Sequence, residues 1–191
     1  MELKPGKYRY RNTTRWGDKE RVSESATVIE ETADGWAIRD TNEIAAATMT
    51  NLALVEKDTL HLRKLSMTGG PVRWEVDFRD GRAKGVFKVS MQEDQQIDCD
   101  TGGELFAGNR ETLAALPLAE GFATRIRLFN AQKQEVSERE LVVSGIESNC
   151  FAVDIGAGYW KLWVDRDTRA VVRSVVSAPN GMTISSELLP R

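Results

Sequence analysis

Hydrophobic and polar residues alternate through most of this chain, and the alternation is clearest over residues 72–91. In the first half of that segment the apolar positions, each separated from the next by a charged residue, are Val72, Trp74, Val76 and Phe78. A period of two is typical of a strand with one buried face. The pair Asp80-Gly81 that follows suits the positive φ angles of a tight turn, and the alternation then resumes. The segment therefore predicts a β-hairpin.

The same pattern recurs along the chain and predicts about a dozen strands at the 8–12-residue spacing of antiparallel proteins. The short connections permit only neighbouring antiparallel pairs, because a parallel crossover needs a dozen or more residues. Residues 44–49 are Ala-rich and fit a strand or a helix equally well. So many twisted strands cannot remain flat. We therefore expect a mainly β fold, a large antiparallel meander sheet that curls into a barrel, a half-barrel or two packed sheets.

One helix is predicted, over residues 103–116 (GELFAGNRETLAAL). Leu105, Phe106, Leu113 and Leu116 fall near helical spacing, and Pro117 ends the segment. Gly108-Asn109 interrupts the run. Two short turns are therefore the alternative to one continuous helix.

The chain length and the strand pattern together indicate a single β-rich domain over residues 1–191. A chain of this length buries roughly 70% of its unfolded surface, so it needs no metal or disulfide to fold. Hydrophobic residues make up 41% and charged residues 29%, with a net charge of −3. Basic residues form no stripe, which argues against nucleic acid as a partner. The apolar runs are far shorter than a membrane span.

The N-terminal residues MELKPGKYRYRN are charged and strand-like, without the apolar core of a signal peptide. The protein is either cytoplasmic, or exported with a signal sequence that this chain does not include. Cys99 and Cys150 would close a loop of about 50 residues and stabilise the fold by about 3–4 kcal/mol if they were bonded. Two unpaired thiols are the alternative, since spacing alone cannot pair cysteines.

No segment carries a catalytic, metal or nucleotide signature. His61 is the only histidine, and a strand position explains it better than a metal site or a triad. Residues 98–104 begin like a calcium loop but place Asn109 where a bidentate Glu is needed, so we interpret them as a loop that leads into the helix. Asp165 and Asp167 are expected in a turn. We therefore expect no enzyme, no cofactor and no metal.

Aromatic residues on the predicted strands are the better candidates for function. A curved sheet lined by such residues could hold an acyl chain, because ligand pockets are mostly apolar. The alternative is that the helix packs into the same concavity and the aromatics are core. The candidate ligand-binding residues are Trp74, Phe78, Phe87, Trp160 and Leu162.

Several motifs in the second half of the chain carry a family resemblance. In order, they are LAALPLAEG at 113–121, RIRLFN at 125–130, VVSGIE at 142–147, FAVD at 151–154 and KLWVDRDTRAVVR at 161–173. This sequence resembles the DUF3108 family of exported bacterial proteins of unknown function over about residues 60–189. That family is similar to the LolA/LolB-like open β-barrels of lipoprotein carriers. The resemblance implies an open barrel and a periplasmic or exported location, but no active site.

Two functions remain open at this point. The first is a non-enzymatic envelope protein that binds a lipid or another hydrophobic or amphipathic ligand in the curved sheet. The second is a structural or interaction module of the envelope, with a filled core, that recruits another protein by strand addition at a sheet edge.

Overall fold

Antiparallel strands joined by short turns make up most of the computed structural model, which describes residues 3–44 and 47–190. The first eight strands are β1 Gly6–Trp16, β2 Lys19–Thr32, β3 Gly35–Ile44, β4 Ala47–Glu56, β5 Leu62–Thr68, β6 Val72–Arg79, β7 Arg82–Val89 and β8 Gln95–Asp100. After a helix, α1 Arg110–Ala114, come β9 Ala123–Asn130, β10 Glu135–Glu147, β11 Cys150–Ile155, β12 Trp160–Asp165, β13 Val171–Ser177 and β14 Thr183–Leu188.

All fourteen strands belong to one meander sheet. Its order runs from β8 back to β1, then across to β14 and back to β9, so β8 and β9 are the outermost strands. The first and last strands pair with each other, from Tyr10 opposite Leu188 to Arg15 opposite Thr183. The predicted antiparallel meander is confirmed.

Alternation along the strands sets the two faces of the sheet. In β1, Tyr8 and Tyr10 are buried while Lys7 and Arg9 are exposed. The predicted hairpin is observed as β6 and β7, with Trp74 opposite Phe87. Its turn residues Asp80 and Gly81 have φ angles of 53° and 71°. Such angles favour Asp and Gly, which explains why this pair closes the hairpin.

The helix is much shorter than the sequence pattern predicted. The helical residues of the predicted segment are the five of α1, Arg110–Ala114. Leu105 and Phe106 are extended instead: Leu62 N donates to Leu105 O at 2.7 Å, and Phe106 N donates to Arg127 O at 2.9 Å. The apolar residues of this segment are spaced to fill a core rather than to form one helical face. The break at Gly108-Asn109 was the more informative signal.

Residues 104–118, which we call the plug, lie against the concave face of the sheet. Leu113, Leu116 and Leu118 pack with strands β9 to β13 in one core cluster. Leu105 and Ala107 pack with β1 to β5 in another. The plug therefore occupies the inside of the curled sheet and joins the cores of its two halves.

The two ends of the sheet approach each other through side chains. Phe78 of β6 and Phe129 of β9 make an edge-to-face contact with ring centroids 5.2 Å apart. The Gln134 side chain, from the turn after β9, donates to Gln96 O of β8 at 3.3 Å. These contacts hold the sheet in the shape of a barrel whose edges meet without forming a continuous ladder.

Sequence patterns missed strand β8. Asp98, Cys99 and Asp100 lie on this strand, so the predicted loop leading into the helix is wrong at these positions. Ala47–Met49 begin strand β4, while residues 45–46 of the ambiguous Ala-rich segment lie outside the described residues. No helix within the described part of the chain is long and apolar enough to span a membrane.

Candidate functional site

A groove of about 1110 Å³ opens at the end of the barrel where the β2–β3, β4–β5 and β6–β7 turns meet the start of the plug. Its walls come from strands β3 to β7, from those turns and from residues 101–105. Ligand pockets in proteins commonly enclose about 300–1,000 Å³. The groove is therefore large enough for an organic ligand.

A bulge and a splayed strand pair create this groove. The register of β4 against β5 skips Arg63, so Leu54 faces Lys64 while Val55 faces Leu62. Pairing of β5 with β6 ends at Lys64, whereas the β6–β7 hairpin continues to its turn. A bulge bends its strand and re-aims neighbouring side chains. The β6–β7 hairpin therefore separates from β5, and the plug enters beside it.

Apolar side chains form the base of the groove. Trp36, Leu62 and Leu105 are buried and belong to one core cluster, against which the half-buried Phe78 packs. The Trp36 indole N–H donates to Lys57 O at 3.4 Å, which fixes the orientation of the ring. The base is thus a rigid part of the protein core.

Charged side chains of both signs form the rim. The acidic members are Asp34, Glu56, Asp77, Asp80 and Glu104, and the basic members are Arg63, Lys64, Arg79, Arg82 and Lys84. Lys64 binds Glu75, and this hydrogen bond raises the pKa of the lysine. The hydrogen bond from Arg82 lowers the pKa of Asp98. Within the described chain, neither Arg79 nor Lys84 forms an ion pair, and Lys84 acts on Asp98 only through its charge. Both cations can therefore still bind a ligand.

His61 lies in the groove beside two carboxylates. Its Nδ1 is 2.8 Å from Glu104 Oε2 and 3.9 Å from Glu56 Oε2, although the alignment falls outside that of a hydrogen bond. Its ring contacts Phe106 edge-on. Sequence reasoning missed this arrangement because Glu104 reaches His61 only through the fold of the plug. No group of three or more His, Cys, Asp or Glu in the described ranges is arranged to hold a metal ion.

The five candidate residues do not form one site. Phe78 lines the groove. Trp74 and Phe87 face each other across β6 and β7 in a core cluster nearby. Trp160 and Leu162 lie on β12, in the core cluster around α1. Leu162 is completely buried there, while Trp160 is half-buried.

Cys99 and Cys150 are both free thiols in this structure. Cys99 is half-buried on β8 and Cys150 is buried on β11. Burial raises the pKa of both thiols. The predicted location of Cys99 in a loop is wrong, and of the two alternatives for these residues the structure contains unpaired thiols.

A buried polar network links the plug to the barrel wall. The Tyr10 hydroxyl donates to Glu111 Oε1 at 3.2 Å, and the Arg110 guanidinium lies 4.0 Å above the Tyr10 ring. Asn109 donates to Asp40, which also accepts from Thr27 Oγ1 at 2.5 Å. A glutamate in a short helix gives no sequence signal of burial, so this network could not be found from the sequence.

Comparison with known proteins supports the fold alone. Neither the family models nor the curated proteins match this chain. Among solved structures it is similar to a crystal structure described as a beta-barrel-like protein of domain of unknown function DUF1849 from Brucella abortus. The two are 14% identical, with a TM-score of 0.53, over 98% of this chain and 97% of the other. The resemblance to DUF3108 itself stays a prediction.

Proposed function

We propose that this chain is a non-enzymatic binding protein of the cell envelope and that the groove binds an amphipathic ligand. The observation that carries the proposal is the groove of about 1110 Å³ with its apolar base and charged rim. Binding sites combine apolar walls with a few polar groups that orient the ligand. An acyl chain or similar apolar group contacts the base, and the polar head of the ligand binds the rim.

The groove fits such a ligand better than the inside of the sheet does. The inside of the sheet is filled by one core cluster, whose completely buried members include Leu113 of the plug, Ile126 of β9 and Leu162 of β12. A ligand between them would have to displace the plug and its apolar contacts. In the groove, by contrast, a ligand reaches Phe78 without such displacement, while Arg79 and Lys84 are exposed at the rim.

Co-purification and thermal stability test this proposal. Protein purified without detergent is extracted into organic solvent and analysed by mass spectrometry for lipids, and the melting temperature is measured with added fatty acids and with anionic and zwitterionic phospholipids. At about 100 times the dissociation constant, a ligand stabilises a protein by about 2.7 kcal/mol. For a chain of this size that corresponds to a rise of roughly 5–10 °C.

Two phenylalanine variants provide a matched comparison. Phe78 lines the groove, whereas Phe122 is half-buried against the core around α1. Phe78→Ala should remove the ligand-dependent rise in melting temperature, and Phe122→Ala should retain it. Absence of co-purified lipid, together with no rise in the unsubstituted protein, would reject the proposal.

The envelope location and the lack of catalysis are parts of the same proposal. The location is supported by the sequence resemblance to exported proteins, and a cytoplasmic location is the alternative. The non-enzymatic assignment is supported by the sequence, in which the single histidine, His61, has no nucleophilic serine or cysteine at a recognisable spacing.

The filled core supports a second proposal, an envelope interaction module that takes no ligand. Strand addition at the sheet edges is hindered, because Phe106 N already donates to Arg127 O of β9 and Gln134 to Gln96 O of β8. A protein partner would therefore bind the rim of the groove instead. Crosslinking from Arg79 to a partner protein, with no lipid recovered, would favour this function.

A further inference from the structure

Glu111 is the buried carboxyl group at which the plug meets strand β1. Its side chain is 6% exposed, and Oε1 accepts the hydrogen bond from Tyr10 at 3.2 Å. Arg110 Nε lies 3.6 Å from the same oxygen. Oε2 is buried and has no hydrogen-bond partner among residues 3–44 and 47–190. A buried carboxylate with an unsatisfied oxygen costs more than the neutral acid, whose unpaired hydroxyl carries only the smaller penalty of a buried polar group.

A small cavity leads from Glu111 toward the protein surface. It measures about 20 Å³ and is lined by Glu111, Tyr8 and Tyr10, with Lys4 and Arg169 among its other members. Lys4 is exposed and Arg169 is half-exposed. This volume accommodates about one water molecule. Glu111 can therefore exchange its proton with solvent, and its ionised form would be attracted toward the two cations at the outer side of the cavity.

The charges around Glu111 act in opposite directions. Burial raises the pKa of Glu111, the Arg110 guanidinium lowers it, Asp40 on β3 raises it again, and the hydrogen bond from Tyr10 lowers it. The resulting pKa is about 7, against an ordinary value of 4.5. Burial also raises the pKa of Tyr10, so its hydroxyl remains a neutral donor.

We propose that Glu111 is a proton-operated latch, which holds the plug against the barrel wall when protonated and loosens it when ionised. The latch acts on the groove because residues 104–105 belong to both the plug and the groove wall. Loosening the plug would change the position of Glu104 and Leu105 beside the ligand. This second step rests on the proposed function, whereas the latch itself does not.

The sign of the effect follows from linkage. The folded protein binds the Glu111 proton more tightly than the unfolded chain does, so the stabilisation is complete below about pH 4.5 and is lost as the pH rises through 7. An opening that exposes Glu111 to water should therefore be favoured roughly 30-fold at pH 8.5 relative to pH 5.5.

Hydrogen–deuterium exchange of residues 105–116 tests the latch without any ligand. After correction for the intrinsic pH dependence of exchange, the plug should be protected roughly 30-fold more at pH 5.5 than at pH 8.5. Glu111→Gln should remove this difference, because the amide does not ionise. Glu120→Gln, at an exposed position just beyond the plug, should leave the difference unchanged.

Tyr10→Phe provides an independent readout, because it removes the hydrogen bond that favours the ionised carboxylate. The midpoint of the protection change should move to higher pH in this variant. A plug whose protection is independent of pH, or equally pH-dependent in Glu111→Gln and the unsubstituted protein, would overturn the latch. If the latch is observed and no lipid binds at either pH, the proposed function fails and the latch stands.

Discussion

Replacing Leu113 with alanine tests whether the plug is an integral part of the core. Leu113 is completely buried between the plug and strands β9 to β13. Removing three carbon atoms forfeits about 2.4 kcal/mol of transfer free energy at about 0.8 kcal/mol each. The remaining cavity adds to this loss, and buried Leu→Ala changes cost about 2–5 kcal/mol. Strands on one side and the helix on the other limit collapse, so we expect a loss of about 3–4 kcal/mol.

Urea unfolding followed by circular dichroism measures this loss as a shift of the midpoint at constant m-value. Leu54→Ala is the matched control, since Leu54 is a half-buried leucine of β4 and should lose about 1 kcal/mol. A loss below about 1 kcal/mol for Leu113→Ala would refute the packing argument. It would show that the plug is only loosely associated, and that the inside of the sheet is accessible to a ligand.

Three further predictions follow from the same structure. Trp74→Ala should lower the free energy of unfolding by about 2–3 kcal/mol, because the indole is a half-buried, inward-facing side chain. Glu75→Ala, on the exposed face, should change it by no more than about 0.5 kcal/mol. Equal losses in urea unfolding would contradict the two-faced strand. Gly85→Ala should destabilise the protein by more than about 1 kcal/mol, because a Cβ at this position would lie 2.0 Å from Glu75 O. An unchanged melting temperature would show that β6 and β7 leave room for a Cβ at this position. A thiol assay on denatured, unreduced protein should detect two free thiols, from Cys99 and Cys150, and detecting none would show that they are bonded.

The sheet could be predicted because its signals are local. In the β6–β7 hairpin, the alternation of apolar and charged residues and the Asp80-Gly81 turn act within a few residues of one another, and both are observed. Strand β8 (QQIDCD) has no such alternation, because Ile97 is the one buried apolar side chain on this strand. An edge strand has a neighbour on one side only, which allows a polar composition.

The candidate site was less accessible to sequence reasoning because distant contacts create it. Of the predicted ligand-binding residues, Phe78 lines the groove, whereas Trp160 and Leu162 lie in the core cluster around α1, in the other half of the sheet. The bulge at Arg63 and the entry of Glu104 beside His61 depend on how the plug crosses the sheet. Neither feature leaves a periodic pattern in the chain.

Quenching of single tryptophans by a brominated acyl chain tests the groove most directly. Of the five tryptophans, Trp36 lines the groove, whereas Trp160 lies on the concave face of the sheet away from it. Two variants each retain one of these residues, with the other four tryptophans replaced by phenylalanine. We predict saturable quenching of Trp36 and none of Trp160. Quenching of Trp160 without Trp36 would place the ligand inside the curved sheet, and quenching of neither would contradict ligand binding altogether.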